Sequence, residues 1–223
     1  MNDTRGKPIE IILKLDVNNA RDFTVENLRK ADAAIEFTTP KTAFENILKC
    51  FDADVPVVCG TTGWTDRLPA LKKICAGKKR TLFYASNFSV GVNLFFEVNR
   101  KLAELMNKQP QYEVTVHEIH HKEKKDAPSG TAIVLAKDIV NLIKRKKSWE
   151  NTATNESDVL SVRSYREDEI PGIHLVNYES DFDSIEIKHT AHSRRGFALG
   201  AIQAALWLKG KKGFFEMKDM LGL

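Results

Sequence analysis

The chain has 223 residues, enough for one large domain or two small ones around a sizeable buried core. Hydrophobic residues make up 42% and charged residues 29%, which excludes a disordered or fibrous chain. A net charge of +4 suits the attraction of small anions and does not call for nucleic acid.

No apolar stretch is long enough to span a membrane, and Met1 to Pro8 is too polar for the core of a signal peptide. Cys50, Cys59 and Cys75 are odd in number, show no metal-like spacing and sit in or beside apolar segments. They read as reduced thiols, so the expected setting is the cytoplasm.

In chain order, Ile9 to Leu15 reads as a largely buried strand that ends at Asp16. Thr24 to Lys30 predicts a short helix, Ala33 to Phe37 a strand, Thr42 to Phe51 a helix and Val55 to Cys59 a third strand. The polar turn Gly60-Thr61-Thr62-Gly63 follows, then a helix over Leu68 to Cys75 and a fourth strand over Thr81 to Ala85. Strands alternating with helices at this spacing predict a doubly wound parallel sheet, with ligands beyond the carboxyl ends of its strands. Three strand ends suit a dinucleotide: Asp16, an acid within reach of a ribose hydroxyl; Gly60, Thr61 and Thr62; and Ala85, Ser86, Asn87 and Phe88. Each has a plainer reading, since a strand-end Asp is often a helix cap and Gly-Thr-Thr-Gly is often only a turn.

After Asn93 the character changes. Leu94 to Met106 carries apolar residues at helical spacing, and Glu113 to Ile119 is a strand. Pro128 to Lys144 is a helix, with Pro128 in its first turn and the basic run from Lys144 to Lys147 at its end. Lys147 to Asp158 reads as a polar surface loop. Strands are expected over Val159 to Tyr165, Ile173 to Glu179 and Ser184 to Ala191, the last two joined by a hairpin turn. The turn-like stretch Arg166 to Gly172 is taken as structural. Ser193-Arg194-Arg195-Gly196 opens a last long helix, Phe197 to Leu208; Arg195 is taken as structural and Arg194 is left open.

The chemistry concentrates between Glu118 and Ala132. His120 and His121 titrate near neutral pH and can pass a proton, Lys124 can neutralise a carboxylate or donate a proton, and Ser129, Gly130 and Thr131 open a helix whose first amides bind anions. A solvated His-His pair on an exposed charged edge is the plain alternative. A metal site from Glu118, His120, His121 and Asp126 is set aside: lysines crowd the loop and zinc-type spacing is absent, so no metal is expected.

The pattern Glu-x-His-His-x-x-Lys-x-Asp-Ala-Pro-Ser-Gly-Thr-Ala in these fifteen residues resembles the signature of the 4-hydroxy-tetrahydrodipicolinate reductases (dihydrodipicolinate reductases) of lysine biosynthesis. Ser86-Asn87-Phe88-Ser89-Val90-Gly91-Val92-Asn93 resembles a second loop of that family. The resemblance implies a Rossmann-like doubly wound domain, residues 1–90 with 197–223, and an α+β domain with a mixed, open sheet, residues 91–196, for substrate binding and assembly into a homotetramer. It implies reduction of the dehydrated substrate by hydride from NADH or NADPH, with Gly60, Thr61, Thr62 and Ala85 to Phe88 around the nicotinamide. His120 matches the proton donor/acceptor, Lys124 the proton donor, and His121, Gly130 and Thr131 the groups that hold the dicarboxylate. Asp16 without an adjacent arginine favours NADH, since Val17-Asn18-Asn19 offers no cation for a 2′-phosphate.

The family's Gly-x-x-Gly-x-x-Gly-type loop has no counterpart here, and Asp16 has only fifteen residues before it. The expectation is that the family's first strand, glycine loop and most of its first helix are missing, through a start recorded too late or a real truncation, the former being favoured because the other motifs are intact. A chain truly starting at Met1 is expected to bind nicotinamide cofactor poorly. Two alternatives follow: a cofactor-free remnant serving as a binding or scaffolding module, and a different Rossmann-type amino-acid oxidoreductase.

Overall fold

Short β-branched and aromatic runs alternate with helices in the first part of the chain, and the runs that become the central strands β2 (Val57–Cys59) and β3 (Thr81–Tyr84) are buried on both faces. The structure, a computed structural model, describes residues 8–223 and divides into two units: the chain up to Val90 together with Phe197–Leu223, and Gly91–Gly196.

In the first unit, β1 (Ala34–Glu36), β2 (Val57–Cys59), β3 (Thr81–Tyr84) and β9 (Gly213–Phe215) form a parallel sheet in the order β1-β2-β3-β9. Helices α1 (Val25–Leu28), α2 (Ala43–Asp52) and α3 (Leu68–Lys78) follow the strand pattern, α1 capped by Thr24, whose hydroxyl accepts from the Asn27 amide. Phe44, Ile47 and Phe51 of α2 and Leu71 and Cys75 of α3 pack with Val57 and Leu82 on one face. Ala201 and Ala204 of α6 (Arg195–Trp207) and Met217 of α7 (Met217–Leu221) pack with Val58 and Phe83 on the other. Helices on both faces make the sheet doubly wound, and each fully buried Leu or Ile in it contributes about 1.5–3 kcal/mol. All three cysteines lie buried in this unit.

Two expectations change here. No strand forms over Ile9 to Leu15: among the described residues nothing pairs with it, Ile11 is 68% and Ile12 48% exposed, and an unpaired backbone stays in solvent as coil. Asp16 therefore ends no strand. It sits in an exposed turn, where its carboxylate accepts from the Asn18 amide at 2.7 Å. Conversely, the tail beyond Leu208, where no strand is expected, holds β9, a strand too short to show alternation, paired to β3 through Phe214↔Leu82.

The second unit holds α4 (Val90–Met106), β4 (Glu113–His120), α5 (Gly130–Leu142), β5 (Ser148–Glu150), β6 (Val159–Arg166), β7 (Ile173–Glu179) and β8 (Ser184–Thr190). Its sheet runs β5-β6-β4-β7-β8, parallel from β5 to β4 and antiparallel from β4 to β8. β5 lies inside the stretch expected to be loop; its three residues pair with β6, and the neighbouring Lys146 is buried with its ammonium on Glu113 and two carbonyls. Phe95 and Ala103 of α4 and Leu135 and Ile139 of α5 cover Val116, Val162 and Val176 on one sheet face. The other face carries half-buried and exposed side chains, with the His117 and Tyr165 rings stacked upon it. Among the described residues no helix is long and apolar enough to cross a membrane.

Candidate active site

The period of two along β4 decides what faces the helices. Val114, Val116, Glu118 and His120 point inward and are buried, while the intervening residues are not. The last two inward positions place a carboxylate and an imidazole at the apolar layer's edge, where each needs partners. Glu118, wholly buried, accepts from the Ser129 backbone amide with both oxygens at 3.0 and 3.1 Å, and from the Arg166 guanidinium at 3.4 and 3.5 Å. His120 Nδ1 lies 3.5 Å and His174 Nε2 3.7 Å from the same carboxylate. Burial alone would raise the Glu118 carboxyl; His174 and Ser129 overcome it and hold the group well below the carboxylate range. Burial first, and then His174 beside it, push the His120 imidazole down to about 4, so it is neutral at neutral pH. Gly172 lies against this ring: a Cβ there would stand 3.0 Å from His120 Nε2.

Ser129 caps α5, its hydroxyl accepting from the Ala132 amide at 3.2 Å and lying 3.0 Å from His174 Nε2. Pro128 thus stands before the cap, not in the first turn, because the serine side chain takes the first orphan amide. With the Ser129 amide on Glu118 and the Ala132 amide on the cap, those of Gly130 and Thr131 have no partner among the described residues. Arg166 also donates to the carbonyls of Lys124 and Asp126 at 3.3 and 2.6 Å, tying the loop to β6. It was expected to be a structural loop residue, and it is the cation of the network. Lys124 holds Asp126 at 2.6 and 2.8 Å, a hydrogen bond that lowers the Asp126 carboxyl. His121 Nε2 lies 3.2 Å from the Arg194 guanidinium, and both line a cleft of about 430 Å³ with Lys122 and Asp168.

Glu118, His120 and His174 bring ligand-type atoms within 4.8 Å of one another. The carboxylate's oxygens already accept from the Ser129 amide and Arg166.

In the first unit, Gly60, Thr61 and Thr62 leave β2 and Ala85 to Phe88 leave β3, side by side at the carboxyl edge. A Cβ at Gly60 would stand 2.2 Å from the Phe37 ring, so only glycine lets that ring lie on the loop backbone. Thr62 and Ser86 are exposed. Phe88 is buried, its ring 5.8 Å from that of Phe83, and Ala85 is buried beside it. Thr61 is buried as well: its hydroxyl donates to Glu36 at 2.8 Å and accepts from the Thr38 amide at 2.8 Å.

Two family profiles match the chain: "Dihydrodipicolinate reductase, N-terminus" over residues 3–88 and "Dihydrodipicolinate reductase, C-terminus" over residues 91–221. The chain belongs to the dihydrodipicolinate reductase family. The 4-hydroxy-tetrahydrodipicolinate reductase of Christiangramia forsetii is 46% identical over 98% of this chain and 90% of its own length. That of Neisseria gonorrhoeae is 34% identical over 88% and 74%. The dipicolinate-bound dihydrodipicolinate reductase from Paenisporosarcina sp. TG-14 shares the fold, with a TM-score of 0.69 and 24% identity over 90% of this chain and 77% of that one.

The reductase activity is the reduction of 4-hydroxy-tetrahydrodipicolinate to tetrahydrodipicolinate in the diaminopimelate route to lysine, with NAD(P)H as reductant. Of the two loops, the Gly60 backbone is covered by the Phe37 ring on one side, and Thr62 and Ser86 are the exposed side chains that a nicotinamide cofactor could meet. Arg166 and His174, which complete the network around Glu118 and Ser129, were not singled out from the sequence. The register Glu118↔His174 joins residues far apart in sequence, and the one available signal was that His174 falls on the core-facing parity of Val176 and Tyr178.

Proposed function

We propose that this reductase uses His120 as proton donor/acceptor and Lys124 as proton donor, with His121, Gly130 and Thr131 holding the dicarboxylate. The observation that carries the reading is one loop with a neutral buried imidazole at one end, a lysine in its middle and a capped helix start at the other. A bound nicotinamide cofactor supplies the hydride. Hydride addition to a conjugated imine builds negative charge, which a proton must quench. Lys124 donates that proton, and His120, neutral at neutral pH, accepts or passes one. The free amides of Gly130 and Thr131 take one substrate carboxylate, as helix starts do. His121, with Arg194 beside it, meets the other.

The cofactor belongs to Gly60, Thr61, Thr62 and the loop from Ala85 to Phe88. Thr61 and Phe88 serve through backbone position, because their side chains are committed to the protein. Asp16 is kept as the ribose contact, and NADH as the favoured reductant, on the absence of a cation in Val17-Asn18-Asn19. The open sheet face with His117 and Tyr165 is the surface for a homotetramer, and the enzyme works in the cytoplasm.

His120→Gln and Lys124→Ala are the test. Each is expected to lower turnover by about 100-fold or more while NADH affinity, measured by calorimetry with and without 2,6-pyridinedicarboxylate, stays near the wild-type value. Normal turnover in both variants would remove the role assignment.

A further inference from the structure

Glu36, the last residue of β1, is a buried carboxylate with no cation in ion-pair contact among the described residues. Taking such a group out of water is costly unless hydrogen bonds replace the lost solvation. Here four neutral side chains do so. The Oε1 atom accepts from the Thr38 hydroxyl and, at 3.5 Å, from the Asn46 amide. The Oε2 atom accepts from the Cys59 thiol at 3.0 Å and the Thr61 hydroxyl at 2.8 Å. Asn46 also reaches the Thr38 hydroxyl at 3.2 Å, and the Thr38 amide donates to the Thr61 hydroxyl at 2.8 Å.

The donors come from three places: the loop leaving β1, the end of β2 with the loop that follows, and α2. The carboxylate therefore ties together two adjacent loops at the carboxyl edge of the parallel sheet. With Thr61 pinned at its hydroxyl, and its carbonyl pinned by Trp64 Nε1 at 2.6 Å, the Gly60–Thr62 backbone has one path. The Phe37 ring, between Glu36 and Thr38 in sequence, lies against Gly60 and 5.7 Å from the Phe88 ring.

We propose that Glu36 is a positioning residue for the cofactor: it locks the loop after β1 to the Gly60–Thr62 loop and so fixes the backbone on which the nicotinamide moiety rests. This builds on the cofactor assignment made under the proposed function. An apolar residue at Glu36 would leave the Cys59 thiol and the Thr61 hydroxyl without the acceptor they share. An amide of the same size would turn its own N–H donors toward other donors. Either change frees Thr61 and, with it, the loop.

The experiment is NADH binding by calorimetry to the full chain, for wild type, Glu36→Gln, Thr61→Val and the double variant. Glu36→Gln and Thr61→Val are each expected to weaken NADH binding about tenfold, which is about 1.4 kcal/mol. The KM for the dicarboxylate is expected to stay within about twofold, a split that general loosening of the fold would not give. Because both side chains act through one clamp, the double variant is expected to bind about as the weaker single variant does, not with the product of the two losses. Amide hydrogen exchange at Thr38 and Thr61 should quicken in both. A folded Glu36→Gln chain that binds NADH as the wild type does, or losses that multiply in the double variant, would overturn the proposal. If Glu36→Gln does not fold by circular dichroism, Thr61→Val alone decides, since it keeps the carboxylate and deletes one donor. A wild-type chain that binds no NADH overturns the cofactor assignment and this proposal with it; a binding wild type with an unaffected Glu36→Gln overturns the proposal alone.

Discussion

Each unit buries one carboxylate beside loops assigned to chemistry, and the two are kept in different ways. Glu36 is held by neutral donors: two threonines, an asparagine and a thiol. Glu118 is held by a guanidinium and a backbone amide, with two imidazoles close by. In the first network burial and the carboxylate itself push the Cys59 thiol far above its ordinary range, so it stays a neutral donor. The Glu118 network positions a loop too, but its members change charge on acidification. The difference fits the proposed work, a cofactor held at the first loop and a proton moved at the second.

The comparison breaks most visibly at the cation. Arg166→Met leaves Glu118 buried without its guanidinium, and a cost on the order of 3–5 kcal/mol is expected in urea denaturation. Glu36→Gln, which loses no ion pair among the described residues, should cost about 1–3 kcal/mol by the same measurement. Equal losses would mean that the two carboxylates are kept in the same way.

Acid sharpens it next. His120 is held at about 4 in the folded chain against an unfolded value near 6.5, so between those values the unfolded chain binds more protons. Stability is then fully present above about pH 6.5 and falls as pH drops toward 4, at no more than about 1.4 kcal/mol per pH unit from this group. Glu118, held below its unfolded value, adds a further loss as pH falls below about 4.5. Thermal melts between pH 7 and pH 4.5 should show a decline that His120→Asn reduces; an unchanged slope in that variant would assign the acid sensitivity elsewhere.

The smallest effect is expected at the helix cap. Ser129→Ala keeps the backbone amide on Glu118 and loses the cap and the contact with His174. About 1 kcal/mol of stability should go, with a few-fold rise in the KM for the dicarboxylate read from initial rates.

Much of this was legible in the sequence, and the exceptions have physical causes. β7 ran over the expected Ile173 to Glu179, and the Gly-Thr-Thr and His-His loops stood out because polar, chemistry-bearing residues are grouped in them. β5 and β9 escaped, since three residues carry no period and their pairing is decided by β6 and β3 elsewhere in the chain. Ile9 to Leu15 had the composition of a strand and no partner among the described residues, which shows that pattern is necessary and pairing is decisive. Glu36 looked like any acid in a strand, and its donors at Cys59 and Thr61 lie more than twenty residues on. Arg166 was set aside for its charged neighbours, although parity at the end of β6 turns it toward Glu118.

The thiols of the first unit carry one last consequence. Burial pushes Cys50 up to about 12 and Cys75 up to about 11, and Cys59 higher, so almost none of the reactive thiolate exists at neutral pH while the unit is closed. The second unit has no cysteine at all. An alkylating reagent therefore sees this chain only when its cofactor-side core opens. The protein carries a chemical clock for the breathing of one half and is silent about the other.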